Sequence, residues 1–275
     1  MCIIICALRF SRHLLKIMYK INRISSRNAL DLAHKIHGSL GSNPPVIVLH
    51  GLLGSKKNWE SMCKKISAST SLAVVAVDIR NHGESPHAST HSYRELAADV
   101  SQLMNKMSIN NANVIGHSMG GRTGMFLALT EPSKVLKLVV VDISPVSTAG
   151  ILNDFFPRLI DVMKTVDFTG LDSIKARALA KETIKASGLI EHEGLMAFII
   201  MNVGKKHDNT IGWQCNIDTL KQHFEEIASF PTLAGKKYEG PVLFIGGDQS
   251  NYIPFSNLAN AQTVRRHSSS GKKKL

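Results

Sequence analysis

Five consecutive residues, Gly116-His117-Ser118-Met119-Gly120, set a serine between two glycines at G-x-S-x-G spacing. A serine hydroxyl is a weak nucleophile. A chain that uses one must expose it, supply a base and stabilise the oxyanion that its attack creates. The surroundings suit the first task. Asn113-Val114-Ile115 ahead of the motif reads as a buried strand, and Met119 to Leu129 behind it reads as a helix stopped near Pro132. A sharp strand-to-helix turn lifts the serine above the sheet and brings backbones so close that a side chain at either flank would clash. The helix N-terminus adds positive potential where an oxyanion would form. The spacing alone is weak, but in this context it is specific, and Ser118 is the expected nucleophile.

The other parts of such a site have candidates too. His50-Gly51-Leu52-Leu53-Gly54 follows the apolar run Val46 to Leu49. A loop in that place supplies one oxyanion donor and the residue after the nucleophile supplies the other. This assigns the backbone N–H of Met119 and that of Leu52, with Leu53 the alternative; His50 reads as packing beneath the loop. Two aspartates compete as the acid that orients the base. Asp142 ends the strand Val135 to Val141 and lies 24 residues after Ser118, the length of one helix and one strand, which makes it the first choice. Asp218, in Asn216-Ile217-Asp218, is the second, reaching in from a helical insertion. A third place for the acid, in an Asp-x-x-Val-Pro pattern, is filled here by Ser250-Asn251-Tyr252-Ile253-Pro254, with Asp248 two residues early.

These residues need a sheet to hold them. Asp31 to His37 reads as an opening strand, closed by Gly38 and the turn at Gly41 to Pro45. Val46 to Leu49 is a short, continuous β-branched run, as a strand buried on both faces should be; Leu72 to Val77 and Asn113 to Ile115 read as further buried strands, and Val135 to Val141 as a fourth strand. Helices are expected at about Asn58 to Ser69 and at Ser92 to Met107, where Leu96, Val100, Leu103, Met104 and Met107 form one apolar face. Strands alternating with helices specify a parallel sheet with right-handed crossovers. From about 146 to 230 the pattern turns mostly helical, which reads as a cap over the site. Pro241 to Ile245 then resumes the sheet.

Composition bounds the alternatives. The chain has 275 residues, 44% hydrophobic and 20% charged, enough for one large α/β domain and unlike a disordered chain. No apolar stretch approaches the roughly 20 residues that span a bilayer. The four cysteines, Cys2, Cys6, Cys63 and Cys215, form no C-x-x-C pair and no zinc spacing, so free thiols are expected. The net charge of +12 sits almost wholly at the ends. Residues 1–30 hold Arg9, Arg12, Lys16, Lys20, Arg23 and Arg27 with no acid, and the last eleven hold Arg265, Arg266 and Lys272 to Lys274. The body between is near neutral, which argues against a nucleic-acid face. An acid-free amphipathic segment at 1–30 has the composition of a mitochondrial presequence, with a membrane-surface helix the competing reading. The expected organisation is therefore a presequence at 1–30, a catalytic domain at 31–254 and an irregular basic tail at 255–275.

Four motifs carry a family resemblance. His50-Gly51-Leu52-Leu53-Gly54-Ser55, Asp78-x-Arg80-Asn81-His82-Gly83-x-Ser85-Pro86, Gly116-His117-Ser118-Met119-Gly120-Gly121 and Val141-Asp142-Ile143-Ser144-Pro145 occur in that order. Over about Asp31 to Pro254 the chain resembles the mitochondrial alpha/beta-hydrolase domain-containing protein eleven subfamily and related bacterial acyl esterases. The resemblance implies an α/β-hydrolase fold and hydrolysis of carboxylic esters through an acyl-enzyme, with lipid esters such as diacylglycerol as substrates. It also implies Asp142 as the acid while keeping Asp218 in play. No cofactor is implied, the partner is a small ester or lipid, and peripheral membrane contact fits such a substrate. The family pattern continues past Gly247 with a helix, a strand and a Gly-His turn bearing the base. This chain runs instead into a basic tail whose one histidine, His267, lies 20 residues beyond Gly247 and lacks the preceding glycine. The chain is therefore expected to be catalytically crippled, and a non-catalytic homologue is the alternative reading.

Overall fold

A computed structural model describes residues 29–146, 154–206 and 208–247. The expected presequence (apart from its last two residues), the basic tail with His267, Asp248 and the Ser250 to Pro254 pattern lie outside the described residues.

Six strands form the main sheet: β1 (His34–His37), β2 (Val46–Leu49), β3 (Val74–Val77), β4 (Ala112–His117), β5 (Val135–Val141) and β8 (Val242–Ile245), in the order β1-β3-β2-β4-β5-β8. β1 pairs antiparallel with β3, and every other pairing is parallel. β2 and β3 are buried along their whole length, as the unbroken apolar runs require of strands covered on both faces. The parallel register brings the carboxyl ends Leu49, Val77, His117 and Val141 to one edge of the sheet. All four sequence motifs begin at that edge, which is where open α/β sheets bind ligands.

Among the described residues the sheet is flanked by α1 (Glu60–Thr70), α2 (Tyr93–Lys106) and α3 (Met119–Thr130). Helix α2 buries Leu96, Val100, Leu103 and Met104, the face expected from their spacing. It opens with a capping box in which Ser92 and Glu95 satisfy each other's backbone N–H groups.

The insertion is helical as expected, with α4 (Phe155–Lys164), α5 (Ser173–Ala186), α6 (Glu193–Ile200), α7 (Ile217–Gln222) and α8 (Phe224–Ala228). It also contains a small antiparallel hairpin, β6 (Val203–Lys205) with β7 (Ile211–Trp213), which the sequence reading passed over. Three-residue strands with a glycine in each leave too little alternation to be seen. The hairpin is fixed by tertiary contacts, such as the Trp213 indole N–H donating to the Met163 carbonyl at 2.8 Å. No described helix is long and apolar enough to cross a membrane.

Candidate active site

Ser118 stands at φ 50° and ψ −119°, between β4 and α3. A non-glycine residue there is strained by about 1–3 kcal/mol, and such strain persists only where neighbours over-determine it. Here the Ser118 N–H donates to Val141 O at 2.9 Å and the Arg122 N–H to Ser118 O at 3.0 Å. The flanking glycines have the expected reason. A β-carbon on Gly116 would stand 2.3 Å from Gly120 O, and one on Gly120 would stand 2.4 Å from Leu49 O and His50 O.

A cavity of about 290 Å³ opens at Ser118. Its floor includes Leu52 and Met119, the two proposed oxyanion donors, and Asp142 also lines it. Its roof is aromatic, from Phe155 and Phe156 of α4, Phe198 of α6 and Phe224 of α8, with Leu195 and Ile227 alongside. The alternative donor Leu53 is committed elsewhere, because its N–H donates to His82 Nε2 at 3.1 Å.

The two candidate acids separate. Asp142 sits at the tip of β5 in a left-handed conformation, φ 56°. Its N–H donates to Ile245 O at 2.7 Å and its carboxylate accepts the Gly247 N–H at 3.3 Å. Asp218 is not brought to the Ser118 cavity. It lies in a separate polar groove, 72% exposed and paired with Lys164 at 2.5 Å. The cause is local. Asn216 caps α7 and turns inward onto Asn81 Oδ1 at 3.3 Å. Asp218, two residues further and roughly 200° round the helix, faces outward. Its first-turn position suits a carboxylate at a helix N-terminus.

Residues outside the expected catalytic set build the floor. The Asp78 carboxylate accepts the Lys56 N–H at 2.6 Å and the Glu84 N–H at 2.9 Å, and pairs with the Lys56 ammonium. Arg80 grips Asp99 through two bonds of 2.6 and 2.8 Å, with both side chains about 1% exposed. His50, His82 and His91 are all buried. Burial pushes the first below the ordinary imidazole range and the second well below it, and pushes His91 down to about 3, so the three rings are neutral. Arg122, also buried, ties the two ends of the cap together. It donates to Ser144 O at 3.2 Å and Val146 O at 2.6 Å on the way out, and to Ile227 O at 3.0 Å on the return. The Asp78 to Pro86 motif was the available signal for this floor. Nothing in the local pattern marks Arg122.

Among the described residues, His117 is the histidine that lines the cavity, and no side-chain hydrogen bond joins Ser118 to a histidine. Burial also pushes the His117 ring below its ordinary range, against the pull of Asp142. No cluster of three or more metal-binding side chains occurs among the described residues. Cys63 and Cys215 are free and buried, with burial raising their thiols to about 11 and about 12.

The α/β-hydrolase fold model matches residues 44–170. The sn-1-specific diacylglycerol lipase ABHD11 of Xenopus tropicalis is 36% identical over 236 residues, spanning 86% of this chain and 72% of the relative. This chain belongs to the α/β-hydrolase family. Its ABHD11-like character extends to the Mus musculus protein of the same description, again 36% identical, over 82% of this chain and 71% of the relative. A solved marine microorganism esterase superposes with a TM-score of 0.74 at 32% identity, covering 84% of this chain and 85% of the esterase. The family expectation drawn from the four motifs is thus met, and with it the fold class.

Proposed function

We propose that this α/β-hydrolase cleaves carboxylic esters of lipids, acylglycerols among them, with Ser118 as nucleophile and Asp142 as the orienting acid. The observation that carries the reading is the shared cavity: a strained, half-buried serine, Leu52, Met119 and Asp142 line one pocket with an apolar roof. The names of its relatives, diacylglycerol lipases and an esterase, support the substrate class. The apolar roof suits an acyl chain and offers little to a charged leaving group.

In this mechanism Ser118 Oγ attacks the ester carbonyl carbon, and the carbonyl π pair moves onto oxygen as an oxyanion. The Leu52 and Met119 N–H groups donate to that oxygen. Moving the serine proton to the departing alcohol as the C–O bond breaks needs a histidine base steadied by Asp142; among the described residues no histidine is hydrogen-bonded to Ser118, and this is the observation behind the second reading below. Water then attacks the acyl-enzyme by the same route, releases the fatty acid and returns the proton to Ser118.

A fluorophosphonate probe tests the reading on the folded full chain. Labelling at Ser118 that vanishes in Ser118→Ala supports it. A folded sample without labelling favours the second reading, a non-catalytic homologue that binds through the same cavity. The acid-free segment 1–30 supports a mitochondrial address, and a fused reporter that stays cytosolic would overturn that part.

A further inference from the structure

The mechanism above gives no task to two histidine rings lying against the oxyanion loop. His50 and His82 meet edge to face with ring centres 5.0 Å apart, and they are 1% and 0% exposed. Each ring has one nitrogen against a backbone N–H and the other against a backbone carbonyl. The Ile79 N–H donates to His50 Nε2 at 3.0 Å, so the His50 proton is on Nδ1, which donates to Gly51 O at 2.8 Å. The Leu53 N–H donates to His82 Nε2 at 3.1 Å, and His82 Nδ1–H donates to Arg80 O at 2.9 Å. An amide N–H is always a donor and a carbonyl always an acceptor, so both rings are locked in the Nδ1–H tautomer.

This lock acts on the direction of a particular N–H. Gly51 O accepts from His50 and also from the Gly54 N–H at 3.0 Å. In a trans peptide the carbonyl and the following N–H point opposite ways. With Gly51 O drawn toward His50, the Leu52 N–H is turned away from it, and Leu52 lines the Ser118 cavity. The next peptide is held by its N–H on His82, and Leu53 keeps the left-handed φ of 56°. Gly51 itself passes so close to the elbow that a β-carbon would stand 3.3 Å from Ser118 Cβ.

We propose that His50 and His82 are positioning residues of the oxyanion hole, a pair of fixed tautomers that grip consecutive peptides of the 51–53 loop and aim the Leu52 N–H. The proposal rests on the reading of Ser118 as nucleophile. Neither ring touches the reacting atoms; both act through the backbone.

The two sites call for opposite replacements. At His50 the working nitrogen is the Nδ1–H donor, whose place an asparagine amide takes. At His82 it is the Nε2 acceptor, whose place a glutamine oxygen takes. His50→Asn, His50→Gln, His82→Gln and His82→Asn are made in the full chain, with kcat and KM for a short-chain p-nitrophenyl ester and a Tm for each. The expected result is a reversal: kcat in His50→Gln and His82→Asn falls about 10- to 100-fold below that of the paired variant, with KM within about twofold. Complete loss of one oxyanion donor, about 10²–10³ in kcat, sets the upper bound. Glutamine retaining more kcat at both positions, as simple space filling predicts, overturns the proposal, as do losses that follow Tm or appear in KM. Ring ¹⁵N shifts give a second readout independent of turnover. Both rings should carry the proton on Nδ1, and a ring protonated on Nε2 overturns the lock. A wild-type chain without turnover or Ser118 labelling would overturn the nucleophile reading, while the ring shifts still decide whether the lock exists.

Discussion

The floor and the roof of the Ser118 cavity are built from opposite materials. The floor is polar, with buried Asp78, Arg80, Asp99, His50, His82 and His91 bonding to each other and to the backbone of three loops. The roof is apolar, set by phenylalanines of α4, α6 and α8 that pack without directional bonds, such as Phe156 against Phe224 at 6.0 Å. Directional bonds fix where an N–H or a carboxylate points, whereas apolar packing fixes only volume and shape. On the proposed reading, the floor therefore sets the rate and the roof sets which acyl chain is taken. Arg122 lines the cavity and also ties the two ends of the cap to the sheet layer.

Several changes test that division, and the largest effects should come from the floor. Asp142→Asn should lower kcat on the order of 10³–10⁴-fold with little change in KM, because the base loses its orienting charge. A loss confined to KM would return Asp142 to the role of a strand-end cap. Asp99→Ala leaves the buried Arg80 without its bidentate partner and should cost about 3 kcal/mol in urea unfolding; a change under about 1 kcal/mol would show that the pair contributes little. Acid should weaken the floor as well. The buried histidine rings take up protons more readily when unfolded than when folded. Their contribution is thus complete above about pH 6.5 and is lost as pH falls from there toward the depressed folded values, about 3 for His91. For His91 the cost should be about 1 kcal/mol between pH 7 and 5.5, with His50 and His82 acting in the same direction, and stability unchanged over that range would contradict neutral burial.

The roof should respond differently. Phe198→Ala should shift acyl-chain preference toward longer or bulkier esters with kcat for short esters within about threefold, and a uniform fall in kcat would break the distinction. The smallest effect belongs outside both regions. Asp218→Asn removes an exposed ion pair worth at most about 1 kcal/mol, and turnover should match wild type. A large fall in turnover would restore Asp218 as the acid.

Much of the site was legible because it is written locally. The elbow needs glycines at 116 and 120 for steric reasons that belong to five residues, and the core strand β2 lies where its apolar run begins and ends. The hairpin of β6 and β7 was not legible, since its strands are too short to show a period. Nor was the task of Arg122, whose carbonyl partners lie more than 20 and more than 100 residues away.

The sequence by itself determined the fold family, the elbow that carries Ser118 and a short set of candidate partners for it, because periodicity, turn chemistry and motif spacing are properties of neighbours along the chain. It left Asp142 beside Asp218, and Leu52 beside Leu53. Tertiary structure brought Asp142 and Leu52 to the cavity. Asp218 is turned away by the rotation of a helix whose cap is held on Asn81, and the Leu53 N–H is taken by His82, 29 residues further along. Both outcomes depend on hydrogen bonds between segments remote in sequence, and only the folded chain brings those segments together.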